Sequence, residues 1–582
     1  MAINNLKFIL LGCMLLVFGG VNAQMWNGSD TLYGNEWIQY DQTYYKIRVG
    51  DDGVYRIAQQ AMVDAGLPVG AVSADQFRLY RYGQQVPVFV SASGVLGPDD
   101  FIEFFGEKNR ETVDRHLFAD PDDENVNPDY SLFNDTTAYY LTWENGGTPL
   151  RYTPVDNNLN NPPTREPWIW FTVQNAPPTQ FLKRRLSPEI TYSWHDGEGY
   201  QLGMTNNRTF TLAVSKPAPG TPAATLRLRY ACELGEHKQQ LTVNDSLLSV
   251  DSFFNWKIVD RNYLLPSAGI QSGAKIQLQS FLGNTDRNGV SLARLRYARL
   301  PELDNVTQAA FELEPASGER YLELSGINAG GQAPLIYDLT QRQRITAAVD
   351  GNLTKAVLPA SPGLRQIWLS TAAAVRNVAL QPVVFRDLSA ENADFIIVSN
   401  RRLYSDPTQG GANHVEAYAD YRRSAAGGNH RVVIADVDEL YEQFAYGVRY
   451  HPIAIRNFTH WAEKNWDDPK YLLLIGKGVD YNAFRTPATQ AALADSLFFI
   501  PNFGSPGADL PYGMRGPGIY TPVVAIGRLA VVKPFEIRDY LDKLIAHEQE
   551  LSAQPQDIAG KSWSKRVLHN CGGFNFEQLV IR

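Results

Sequence analysis

From residue 394 onward the chain alternates short unbroken apolar runs with amphipathic segments, and few folds accept that rhythm. Runs 394–398 and 431–434, after their first residues Asp394 and Arg431, and runs 471–475 and 523–526 put apolar side chains on consecutive positions. Such strands need cover on both faces, which is the condition of a parallel sheet with helices above and below. The segments between them have helical spacing. One helix is expected over 414–423 and another over 439–444. A third opens at Pro452, with Ala454, Phe458, Trp461 and Ala462 on its apolar face. A fourth opens at Pro534 and is expected to bury Ile537, Tyr540, Leu541, Leu544 and Ile545. A fifth strand is expected at 565–569 and the start of a helix at 576–581. No further strand pattern follows, so residues 389–582 read as an incomplete, doubly wound α/β domain. In such sheets the reactive groups gather at the carboxyl ends of the strands.

The preceding sequence is β-rich. The 29 Tyr, 27 Phe, 46 Gly and 34 Pro of the whole chain favour many short strands joined by turns in part of it. A mixed module over 24–160 is expected to hold strands at 44–49 and 54–57, joined at Asp52-Gly53, then a short helix near 58–65. Further strands follow at 77–80, 86–90, 101–105 and 138–143. Residues 161–305 show strand patterns at 168–173, 208–214, 224–230, 239–243, 275–278 and 291–297, a spacing that suggests a sandwich or jelly roll. A smaller β module is expected over 306–388. The fold class is therefore multidomain, with mixed-β and sandwich modules ahead of the α/β domain.

Residues 1–23 read as a signal peptide. Lys7 precedes an apolar run too short to span a bilayer, and Val21-Asn22-Ala23 suits signal peptidase. A lipoprotein reading, with Cys13 lipidated, competes with this. Export to the periplasm, the outer-membrane surface or the exterior is expected, with no transmembrane helix. The net charge of −9, with no basic stripe, argues against nucleic acid. Past residue 23 only Cys232 and Cys571 remain, in different modules, so no disulfide framework is expected. The histidines show no H-E-x-x-H and no paired-cysteine spacing, which leaves zinc without support. No cofactor is expected. Ca²⁺ is a minor alternative to a solvated loop at Asp120, Asp122, Asp123, Glu124 and Asp129. Gly476-Lys477-Gly478 lacks the phosphate-loop pattern.

Residues 471–481, 500–509, 524–529 and 540–548 resemble, in that order, successive pieces of the gingipain family of cysteine peptidases. Residues 53–57 and 101–107 resemble the front of its larger members. Among these the chain is most similar to the sortase-like peptidases of the type IX secretion system in Bacteroidetes. The resemblance implies a thiolate that attacks a peptide carbonyl, with a histidine from a Gly-His-Gly turn as its base. It also implies protein substrates and possible secretion-system partners. Gly-His-Gly does not occur in this sequence, and the family's dyad lies downstream of the strand where the chain stops. The chain is thus expected to be a fragment, inactive by itself, with no catalytic residue carried over.

His569 and Cys571 stand two apart on the expected fifth strand and invite a local dyad. Parallel side chains suit a shared wall better than in-line attack, so wall residues are the preferred reading. Asp480 and Asp509 fall in loops at the sheet rim, as positioning groups, calcium ligands or turn caps. Arg528 follows Gly527 and suits either an ion pair with an acid beneath the site or, equally, an ordinary surface ion pair. Two rivals to an enzyme stand beside it. One is a non-catalytic envelope or secretion component that uses the scaffold for binding. The other is a carbohydrate-binding surface protein, suggested by Trp168, Trp170 and Trp194, residues that serve a core as readily.

Overall fold

The computed structural model describes residues 25–175, 178–184, 197–485, 488–505, 507–516, 519–554, 557–560, 562 and 566. The signal segment with Cys13, Trp194, His569, Cys571, the expected helix at 576–581 and all but residue 566 of the expected fifth strand lie outside these residues.

The C-terminal region forms a four-stranded sheet in the order Val432–Asp436, Phe395–Ser399, Tyr471–Ile475, Ala525–Leu529. All three pairings are parallel. The last strand starts two residues after its apolar run begins, because the Val523 N–H is given to the Gly513 carbonyl at 2.9 Å. Helices His414–Arg423, Val437–Phe444, Ile453–Asn465 and Pro534–Ala553 connect and flank the strands. Asn413 caps the first by accepting from the N–H groups of Val415 and Glu416, and Asp436 caps the second.

Helix Pro534–Ala553 departs from its expected face. Ile537 and Leu541 are buried, Leu544 and Ile545 only partly, and Tyr540 is 41% exposed. It is tied to helix His414–Arg423 by bonds from Tyr421 and Arg422 to Glu548, and Tyr540 stacks on Tyr418 at 6.5 Å. Resting on one helix rather than on a broad sheet surface, it covers a narrower stripe.

Helix Ile453–Asn465 departs in the opposite sense, since every residue from Ile453 to Ala462 is buried, Arg456, Asn457, Thr459 and His460 included. One apolar core joins this helix and the sheet to Met25, Val113, Leu117, Phe118, Leu132, Phe133 and Tyr200 from far upstream. The far side of the helix is therefore protein where periodicity alone would place water.

Burial of His460 has a measurable consequence. Its Nε2 donates to the Met514 carbonyl at 3.1 Å. Burial, then the charges of Arg456 and Arg515, push its pKa from 6.5 down to about 3, against the pull of that carbonyl. The folded state thus favours neutral His460, and the stability this confers is complete above pH 6.5 and drains away toward pH 3. Each unit below pH 6.5 is expected to cost about 1.4 kcal/mol through this residue. Urea midpoints measured from pH 7 to 4.5 should fall less steeply for His460→Gln than for the parent chain. Equal slopes would remove His460 as a cause.

The first module holds two sheets. One runs Gln381–Val384, Thr43–Val49, Thr137–Trp143, Phe77–Arg81, Gln84–Val86, and the other Arg376–Asn377, Gly53–Ala58, Phe101–Gly106, Phe89–Val90. The strand expected over 86–90 is therefore divided between two sheets. Pro87 stands at the division and has no N–H for a ladder. A nine-stranded sheet follows, faced by two four-stranded sheets to give two sandwich cores that share one layer. Hydrogen-bonded pairing crosses the divisions drawn at 160 and 305, whereas the described strands after 388 pair only with one another. Thr153–Val155 joins the nine-stranded sheet, strands from 161–305 and 306–388 share it, and residues 376–384 return to the first module. Periodicity marks strands but does not name their partners. No helix among the described residues is long and apolar enough to cross a membrane.

Candidate active-site rim

The carboxyl ends of the four strands bring Ser399, Asp436, Ile475 and Leu529 to one rim. The Ser399 hydroxyl donates to the Ile475 carbonyl at 3.0 Å, and Asn400 Nδ2 reaches the Phe499 carbonyl at 3.3 Å. Arg401 pairs with Asp436 at 2.8 Å. Burial, partly countered by bonds to Asp438 N–H and Arg401, raises the Asp436 pKa.

The third strand turns at Gly476, whose φ of +144° favours glycine. A Cβ there would lie 2.7 Å from the Phe499 Cβ. A Cβ on Gly478 or Gly507 would sit 1.9 or 2.5 Å from the Asn502 amide. The glycines around Lys477 thus admit a neighbouring loop.

Arg528 fastens the two loops together. Its Nε and Nη2 donate to Asp509 at 2.8 and 2.7 Å. Nη1 donates to the carbonyls of Gly476 at 2.9 Å and Ile500 at 3.2 Å, and Nη2 to that of Pro501 at 2.8 Å. Burial opposes its charge, but the Asp509 carboxylate prevails and the Arg528 pKa is raised. Tyr512 adds a 2.6 Å bond to the Pro501 carbonyl. Asp509 is therefore a strut partner. Asp480 precedes helix Tyr481–Phe484 without capping it through its side chain, and accepts weakly from the Ser505 hydroxyl at 3.4 Å.

Tyr450, Phe484 and Phe498 close the rim as an aromatic cluster with centroids 4.6–5.3 Å apart. Sequence reading missed this cluster, and Ser399, Asn400 and Asn502 with it. Ser399 and Asn400 follow the first apolar run directly, so the strand-end argument could have found them. The aromatics meet only through the fold.

The other sequence candidates have structural occupations. Asp120 accepts from the N–H groups of Asp122 and Asp123, Asp122 pairs with Arg115, and Asp129 pairs with Arg294. These acids thus spread over a cap and two ion pairs and do not converge on one point. Trp170 is buried beneath Arg296, 3.8 Å from its ring centroid, and meets Trp168 edge-on at 5.0 Å. Cys232 is buried in the sandwich, where burial and then nearby carboxylates push its thiol pKa far up.

Residues 388–578, which contain this parallel sheet and its strapped loops, match the family model of peptidase family C25, the gingipain family. More particularly, the chain is similar to the crystal structure of dimeric latent PorU from Porphyromonas gingivalis, with a TM-score of 0.56 and 14% identity. The match covers 91% of this chain and 51% of that one, so the chain spans about half the length of that relative. Over the matched span the β-rich multidomain architecture is shared. The CBM36-1 domain of a multidomain xylanase from the hindgut metagenome of Trinervitermes trinervoides also matches, at 10% identity and a TM-score of 0.14, over 22% of this chain and 95% of that one. No curated protein matches the chain.

Proposed function

We propose that this chain supplies the scaffold of an exported, PorU-like cysteine peptidase that processes secreted proteins by thiolate attack on a peptide carbonyl. The observation that carries the proposal is the rim itself. Loops 476–480 and 500–509 are bound to each other and to the sheet through Arg528, at the place where doubly wound folds present reactive groups. The C25 match and the shared architecture support it. A thiolate needs a base within hydrogen-bond reach. Cys232, the one cysteine among the described residues, is buried away from the rim and cannot serve. The reading therefore places nucleophile and base outside the described residues, in a segment following the fourth strand.

A fluorescent thiol probe tests this. Folded protein spanning residues 24–582 should show no labelling at Cys232 and no hydrolysis of reporter peptides. A longer chain that adds Gly-His-Gly and a later cysteine should label at that cysteine and cleave. Cleavage by residues 24–582 that is lost in Cys571→Ala would overturn this placement of the dyad. A second reading, a non-catalytic secretion or envelope component, is favoured by the internal engagement of Arg528, Asp509, Ser399 and Asn400. Specific capture of secreted substrates without cleavage by any longer chain would select it.

A further inference from the structure

One end of the sandwich holds a buried polar cluster apart from the rim. Cys232 ends strand Ala224–Cys232, His237 lies near the start of Glu236–Val243, and Asn288 opens Asn288–Arg299 directly opposite Cys232. Asp286 stands in the loop just before. Cys232, His237 and Asp286 are 0, 2 and 1% exposed, and one donor atom from each lies within 4.8 Å of the others.

The hydrogen bonds fix which atoms face inward. His237 Nε2 lies 2.8 Å from the Glu233 carbonyl oxygen. A carbonyl only accepts, so Nε2 carries a proton, and Nδ1 faces Asp286 at 2.7 Å. Metal-bound imidazoles are oriented in this way, one nitrogen on the metal and the other donating to a carbonyl. Asp286 is held by the Lys238 N–H at 3.0 Å, the Ser280 hydroxyl and the Gln239 amide. Asn288 Nδ2 donates to Gln239 at 2.8 Å, while its fully buried Oδ1 has no hydrogen-bond partner. Such an orphaned acceptor is costly unless something else fills it.

We propose that Cys232 Sγ, His237 Nδ1 and Asp286 form a site for a divalent transition metal, with Asn288 Oδ1 as fourth donor. The mixture of sulfur, nitrogen and oxygen suits zinc and disfavours calcium, which takes oxygen ligands alone. Binding displaces the Cys232 thiol proton and the proton held between His237 Nδ1 and Asp286, so two protons leave for each cation. Thiolate and carboxylate then cancel the dication, and a site this buried gains no net charge. The residues are 5 and 49 apart in sequence, a spacing that matches no familiar zinc motif. The site is independent of the peptidase reading.

The test uses chelator-stripped protein titrated with Zn²⁺ and, for its spectrum, Co²⁺. The expected result is about one metal per chain with a thiolate-to-cobalt band in the near ultraviolet. Cys232→Ala should abolish the band. Ser280→Ala, which keeps every ligand but loosens Asp286, should weaken binding about 10–100-fold with unchanged circular dichroism. It serves as the decisive variant if Cys232→Ala does not fold. Absence of the band in the parent protein overturns the site. So does a band that survives Cys232→Ala and vanishes in Cys571→Ala, or one whose affinity Ser280→Ala leaves unaltered.

Discussion

Arg528→Met is expected to destabilise the α/β region by about 3–5 kcal/mol, the usual consequence of removing one partner from a buried ion pair. The guanidinium makes five hydrogen bonds, two to Asp509 and three to carbonyls from both rim loops. Its side chain is 12% exposed and that of Asp509 25%. Methionine fills a similar volume, so the loss falls on the bonds. Asp509 would keep an uncompensated charge, and the carbonyls of Gly476, Ile500 and Pro501 would lack donors. Arg528→Lys restores the charge without the planar fork and should recover only part of the loss. The measurement is the urea midpoint of this region, followed by hydrogen exchange in residues 476–480 and 500–509. If methionine shifts stability by less than about 0.5 kcal/mol, the range of ordinary surface substitutions, Arg528 is no strut.

Glu103→Gln is the second large effect, and it strikes a junction between modules. Glu103 is fully buried on strand Phe101–Gly106. It accepts from Arg56 Nε at 2.9 Å in its own sheet. Across the junction it accepts from Arg344 at 3.0 Å and the Tyr337 hydroxyl at 2.6 Å. The amide keeps the shape but removes the charge that balances two guanidiniums, and one of its two acceptor positions becomes a donor facing them. The expected loss is about 3 kcal/mol or more, with faster exchange in strands Phe101–Gly106 and Leu335–Asp338 together. Destabilisation confined to one of these strands would mean that Glu103 does not couple them.

Both networks lie beyond what periodicity conveys. The alternation of apolar runs announced the parallel sheet, and Pro534 marked the start of its helix, because these signals are local. Helix Ile453–Asn465 shows where local reading stops. His460 and Arg456 look like a solvent face until the distant segment at Met514, whose carbonyl both reach, closes over them. Strands Ser246–Phe254 and Lys257–Leu265 escaped notice because their polar and apolar residues alternate irregularly at sheet edges. At the rim, Asp509 was legible as a loop carboxylate and Arg528 as a cation suited to an ion pair, but that each is the other's partner appears only in the fold. The carbonyls they organise were not, since backbone acceptors leave no trace in residue identity. The cluster at Cys232 was hidden because its members meet only through strand pairing.

The enclosure of helix Ile453–Asn465 also sets a timetable. Asp114 hydrogen-bonds His451 across 337 residues of chain. At synthesis rates of about 5–20 residues per second, roughly 20–70 seconds pass between the emergence of the two. Throughout that interval Val113, Leu117, Phe118, Leu132 and Phe133 have no helix to receive them, so the nascent chain carries a sticky patch that needs guarding until its second half arrives.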